Sequence, residues 1–395
     1  MKKIILTGII AIIIFLAFSC KSTDAKVQVS QSDDEAGLKS LCADYFKLGC
    51  GLTGSSPQNC AINLPKYMEL VEKHFSSCTM TNLMKPAYIL NQTKSIKNFA
   101  EGKNEAGLVF GAIDSTLEWC AQNNVQMRGH TLVWHTQVPD WFFKEGFKND
   151  GELVTRDEMI ERLDSFIKQY LDYVQTNYPG LVYCWDVVNE AVDPVDGDKE
   201  SFFRCRIKNG NEKNLWYYTI GADYPEVAFR IARKYAAPGV SLFYNDYTTV
   251  DSTKRELIYK LCKDLKEKGL IDGIGMQAYW DMNYPSLVAI DQTIRRFSEL
   301  GLEIQLTEWS IPAPSEDAFG FLAQGERYAT IFRLLQKLDT QGGGPANITC
   351  VSFFGVMDGY PLYQNDTTTT RIFDKNYQPK LAFKSIKNTF LEYYQ

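Results

Sequence analysis

The stretch CWDVVNEAV, Cys184 to Val192, has the apolar content of a buried β-strand, yet it carries Asp186 inside and ends on Asn189 and Glu190. A structural strand gains nothing from an amide followed by a carboxylate, so its end asks for a chemical role. Seven further apolar runs have the same character: FKLGCGL, SSCTM, VQMRGH, VSLFYND, IDGIGMQ, EIQLT and ITCVSFF. Between them lie segments with apolar residues at helical spacing, such as 156–175, 254–268 and 324–338. Strands alternating with helices in this way predict an α/β fold, a (β/α)8 TIM barrel forming one catalytic domain over residues 38–395. An open doubly wound sheet would need a glycine-rich phosphate turn after its first strand, and GCGLTGSS is a poor version of one.

Composition narrows the partners. The chain has 395 residues, 45% hydrophobic and 23% charged, an ordinary globular balance, and its net charge of −6 argues against nucleic acid. Aromatic residues are plentiful, and their flat faces suit sugar rings as well as a core. At the N-terminus, Lys2 and Lys3 precede an apolar run from Ile4 to Phe18, the length of a signal-peptide core. It ends in LAFSC, which resembles a lipoprotein signal with Cys20 as the acylated first residue of the mature chain. Residues 1–20 are then a signal peptide and 21–37 a polar tether. The protein is expected to be exported and held at a bacterial membrane, periplasmic or at the cell surface, by its lipid alone. Because Ala17 stands where leucine is usual, plain secretion is the alternative.

With Cys20 set aside, nine cysteines remain and none has C-x-x-C spacing, so no metal centre is expected. Cys50, Cys78, Cys184 and Cys350 lie in strand-like runs and read as small buried hydrophobes, while Cys42, Cys60, Cys120, Cys205 and Cys262 could supply a bridge.

In such barrels the chemistry sits at the C-terminal ends of the strands. Arg128-Gly129-His130 ends the third predicted strand with Trp134 close behind, Asn189-Glu190 the fourth, Asn245-Asp246 the fifth, Gln277 the sixth and Thr307-Glu308 the seventh. Glu190 and Glu308 thus come from opposite sides of the mouth. Two facing carboxylates are the minimal apparatus of glycoside hydrolysis: one protonates the leaving oxygen and the other attacks or activates water. One must be protonated and the other ionised, which an apolar setting for the first and hydrogen-bond donors around the second would arrange.

RGHTLVWHTQVPDWF, WDVVNE, LFYNDY, IDGIGMQ and LTEW, followed by RIFDKNYQPKLAFKSI, resemble glycoside hydrolase family 10, the xylanase family of a retaining (β/α)8 superfamily. The resemblance implies an endo-β-1,4-xylanase acting by double displacement on xylan-type polysaccharide or oligosaccharide, with neither metal nor cofactor. It implies Glu308 as nucleophile, Glu190 as acid/base and Asn189 as the amide on the sugar 2-hydroxyl. It also implies sugar contacts in the glycone half of the cleft from Asn82, Lys85, His130, Trp134 and Gln277.

Several positions depart from the family pattern. Thr81 replaces a glutamate, Tyr279 a histidine that donates to the nucleophile, Ser310 an aspartate that orients that histidine, and Phe354 and Leu362 two tryptophan walls. A tyrosine hydroxyl is also a donor, so Tyr279 is expected to hold Glu308 with Ser310 as a short polar partner. Phe354 is expected to face the sugar. Loss of large walls widens the glycone pocket, which leaves open a retaining β-glycosidase for another or decorated glycan. A surface glycan-binding lipoprotein without catalysis is the alternative from another class.

Overall fold

The computed structural model describes residues 36–202, 214–361 and 367–391. The signal-like run, most of the tether, Cys20, Cys205 and Leu362 lie outside the described residues.

All the predicted strands form, and they close into a parallel barrel. They are β1 (Lys47–Leu52), β2 (Ser77–Met80), β3 (Gln126–Val133), β4 (Val182–Asn189), β5 (Ser241–Tyr247), β6 (Gly273–Gln277), β7 (Glu303–Trp309) and β8 (Asn347–Phe353). Each pairs with the next, and β8 returns to β1. The fold is a (β/α)8 TIM barrel. A two-stranded ribbon, Leu90–Asn91 against Gly107–Leu108, escaped the sequence reading because two-residue strands carry no periodicity.

The helix at Arg156–Asn177 shows why the outer ring forms. Met159, Leu163, Phe166, Tyr170 and Val174 recur at helical spacing and are buried, while Thr155 and Glu158 make a reciprocal capping box at its start. The Tyr170 ring meets Trp185 edge-on at 5.0 Å, and burial of such side chains is worth about 1.5–3 kcal/mol each. Trp185 in turn dictates its neighbour. A Cβ on Gly129 would lie 2.3 Å from the indole, so β3 and β4 approach only with glycine there.

Two predicted boundaries move. The last long helix begins at Ala318 rather than Gln324, because Asp317 caps it by accepting from the Gly320 N–H. β3 runs on past His130 to Val133 through an irregular pairing with β4, which brings Trp134 to the strand's end. The expected possibility of a disulfide is not realised among the described residues. Cys42, Cys60, Cys120 and Cys262 are buried free thiols like the four strand cysteines, and Cys78 and Cys120 face each other at 3.4 Å without a bond.

Candidate active site

Asp186 has a role inside the barrel. Its carboxylate accepts from Arg128 Nη2 at 2.6 Å and Nη1 at 3.2 Å, and its Oδ2 lies 2.9 Å from His130 Nδ1. Arg128 Nε donates to Gln305 Oε1 at 2.6 Å across the interior. Burial pushes the Asp186 carboxyl up, but the Arg128 charge and the His130 contact more than offset it, and the group is held below the usual carboxylate range. This buried knot fixes the His130 ring through Nδ1 and supports the floor of the cleft.

Above it the two glutamates stand at the ends of β4 and β7. Glu190 takes φ +52, in the left-handed region, and its N–H donates to the Asn245 carbonyl at 2.8 Å. A non-glycine residue there costs about 1–3 kcal/mol and is typical of sites where a side chain must be re-aimed. The Glu190 carboxylate accepts from Trp134 Nε1 at 3.0 Å and from Gln277 Nε2 at 3.0 Å. Glu308, only 8% exposed, accepts from Asn245 Nδ2 at 3.1 Å and from the Tyr279 hydroxyl.

Three amides connect the carboxylates. Gln277 Nε2 also reaches Asn189 Oδ1 at 3.2 Å, and Asn245 Nδ2 reaches the same oxygen at 2.9 Å. Thr307 Oγ1 donates to Asn245 Oδ1 at 2.7 Å, which sets which way that amide faces. Register places Asn189 beside Asn245 on adjacent strands. With its oxygen occupied twice, Asn189 has its NH2 group left to donate, as an amide on a sugar hydroxyl requires.

Burial and the Glu308 charge both bear on the Tyr279 hydroxyl and raise its pKa far above the ordinary phenol value, so it remains a donor. Its ring is 47% exposed and meets the half-buried Phe354 edge-on at 5.3 Å. Ser310 differs from expectation, because it meets Tyr279 through backbone pairing. Neutral side chains donate to both glutamates, and Glu308 is the more enclosed of the two.

Lys85 joins the site from the β2 side. Its Nζ donates to Gln137 Oε1 at 2.7 Å and Asn82 Oδ1 at 3.2 Å, and it lies 4.6 Å from the Trp134 ring centre. Burial lowers its pKa to about 8, with Glu308 and Glu190 pulling the other way. Two cavities flank the carboxylates. One of about 370 Å³ is lined by Thr81, Asn82, Lys85, Phe354 and Arg371 among others, and one of about 290 Å³ by Glu190, Gln277, Tyr279, Tyr247 and Tyr284. Among the described residues, no cluster of histidine, cysteine or carboxylate side chains could hold a metal ion.

The structure therefore gathers Asn82, Lys85, Trp134, Asn189, Glu190, Gln277, Tyr279, Glu308 and Phe354 around one cleft, with His130 anchored beneath it. Sequence reasoning missed Gln137, Thr307 as the partner of Asn245, and Arg371. Arg371 opens the quoted RIFDKNYQPKLAFKSI motif, but nothing in the residues beside it marks it as facing the cleft.

The sequence pattern of glycosyl hydrolase family 10 matches residues 37–389. A protein of Dictyoglomus thermophilum named beta-1,4-xylanase is 34% identical over 88% of this chain and 90% of its own. Endo-1,4-beta-xylanase A of Thermotoga maritima is 38% identical over 92% of this chain, which spans only 32% of that protein. The crystal structure of the CBM22-1 and GH10 modules of Clostridium thermocellum xylanase 10B with xylohexaose superposes with a TM-score of 0.79 at 30% identity, over 89% of this chain and 67% of that one.

Proposed function

The chain belongs to glycosyl hydrolase family 10, and we propose from that premise that it is an exported, retaining endo-β-1,4-xylanase cutting xylan-type chains by double displacement. The observation that carries this reading is the pair Glu190 and Glu308, joined through Gln277, Asn189 and Asn245 and flanked by open cavities.

Glu308 attacks the anomeric carbon while Glu190 gives its proton to the leaving oxygen, which leaves a covalent glycosyl-enzyme. Tyr279 and Asn245 donate to the nucleophile and hold it aimed. Asn189 donates to the 2-hydroxyl, a bond that strengthens as the ring becomes cationic. Glu190 then activates water and the bond is hydrolysed with configuration kept. A protonated Glu190 keeps acceptor lone pairs on both oxygens, so Trp134 and Gln277 hold it in place while its O–H points to the leaving oxygen.

The test is product analysis on purified β-glycans with the anomeric proton followed by NMR. β-anomeric xylo-oligosaccharides as first products support the reading. An α-anomer would end the retaining assignment, and no release from any β-1,4-xylan would end the substrate. The location rests on the run before Cys20, whose acylation would anchor the enzyme without a spanning helix.

A further inference from the structure

The cavity of about 370 Å³ beside Lys85 has an unusual charge balance. Among the described residues its lining includes two cationic side chains, Lys85 and Arg371, and no aspartate or glutamate. Lys85 Nζ is held by two neutral amide oxygens, from Asn82 and Gln137. Thr81 brings only a hydroxyl, which donates back to the Leu52 carbonyl.

Arg371 is the more informative of the pair. Its backbone N–H donates to Asp358 Oδ1 at 2.8 Å, but that carboxylate is already matched by Lys380, whose Nζ reaches Asp358 Oδ2 at 2.6 Å. The guanidinium itself donates to the Thr370 hydroxyl. Among the described residues it has no carboxylate within ion-pair distance. The backbone is shaped around it: Gly355 takes φ +112, and a Cβ there would lie 2.5 Å from Arg371 Nε. A half-buried arginine seated against a glycine, with no side-chain ion pair among the described residues, is a planar fork ready for a carboxylate.

The cavity belongs to the same cleft as the chemistry. Phe354 lines it and packs on Tyr279, which donates to Glu308. The half-buried Phe354 offers an aromatic face to a sugar ring, with the buried Tyr67 and Tyr360 behind the wall.

We propose that this cavity receives a carboxylate-bearing sugar, a uronic acid unit or branch of the β-glycan, and that Arg371 selects it. The proposal deepens the glycanase reading above and rests on it for the cleft to be a sugar cleft. Arg371 meets the carboxylate through paired N–H groups.

The test uses a short xylo-oligosaccharide with a glucuronic acid branch and its methyl ester, both too small to be cleaved, with binding measured by calorimetry. In the wild-type protein the acid should bind about tenfold more tightly than the ester, the scale of a charge-assisted fork, and the gap should shrink at high salt. In Arg371→Gln the ratio should fall to about one. The wild-type comparison of acid and ester needs no variant, so it holds even if Arg371→Gln folds poorly. Release from neutral xylan is measured alongside. Cleavage of xylan with acid and ester bound alike overturns the acidic site and leaves the xylanase reading standing. Preference for the acid without cleavage of neutral xylan keeps the acidic site and removes that substrate. Binding of neither, with no cleavage, overturns both.

Discussion

The Tyr279 hydroxyl donates a hydrogen bond to Glu308 Oε2, so a phenol stands where the resembling family has an imidazole on its nucleophile. Tyr279→Phe removes one preorganised donor and should slow formation of the glycosyl-enzyme by about 10- to 1,000-fold. Pre-steady-state kinetics on an aryl glycoside would measure the change. A silent Phe variant beside a damaging Tyr279→Ala would mean that only the ring matters.

The two carboxylates should separate by leaving group. Glu308→Ala should abolish turnover in a protein that still folds. Glu190→Ala should spare aryl glycosides with good leaving groups far more than polysaccharide, since such groups need little protonation. Added azide should restore Glu190→Ala with a β-glycosyl azide as product, and failure to find that product counts against the retaining assignment.

Beneath the cleft, Asp186→Asn strands the Arg128 charge in the barrel and should lower stability by about 3–5 kcal/mol in urea unfolding. The Asp186 value is depressed in the folded protein, so its contribution is fully present above the ordinary carboxylate range and is lost as pH falls through the folded value. Wild-type stability should therefore fall with acid more steeply than that of the variant. Parallel acid profiles would show that the pair does not carry the difference.

Lys85 gives the opposite limb. With its pKa lowered to about 8, chiefly by burial, the charge disappears as pH rises through that value. Oligosaccharide affinity should weaken over the same window, and Lys85→Met should bind weakly with that step absent. An unchanged alkaline profile in Lys85→Met would assign the step to another group.

Location is tested by Cys20→Ser. The variant should move from the membrane fraction to the soluble one and lose labelling by a fatty-acid analogue. Unchanged fractionation of an unlabelled wild type would favour plain secretion.

Glu190 and Glu308 were legible in the sequence because strand ends are marked by apolar runs that stop at polar residues, and two such ends carried carboxylates. Asn189 and Gln277 were legible for the same reason. Asp186 was visible as an anomaly, but its answer was not, since Arg128 lies 58 residues away and only barrel closure brings the two together. Tyr279 could be suspected from resemblance, whereas its hydrogen bond to Glu308 depends on the relative height of β6 and β7.

Periodicity and strand-end chemistry are local properties, and together with the motifs they determined the barrel and put Glu190 and Glu308 at the ends of two of its strands. Which donors each glutamate receives, how Asn245 ties the two together and which charges face the cavity beside Lys85 are pairings between residues far apart in the chain. Arg371 is the clearest case: its exposure to the cavity depends on Gly355 leaving room and on Lys380 having taken Asp358, and none of those three facts is written in the residues beside it. Only tertiary structure decided them, because electrostatic and steric partners are chosen by distance in space.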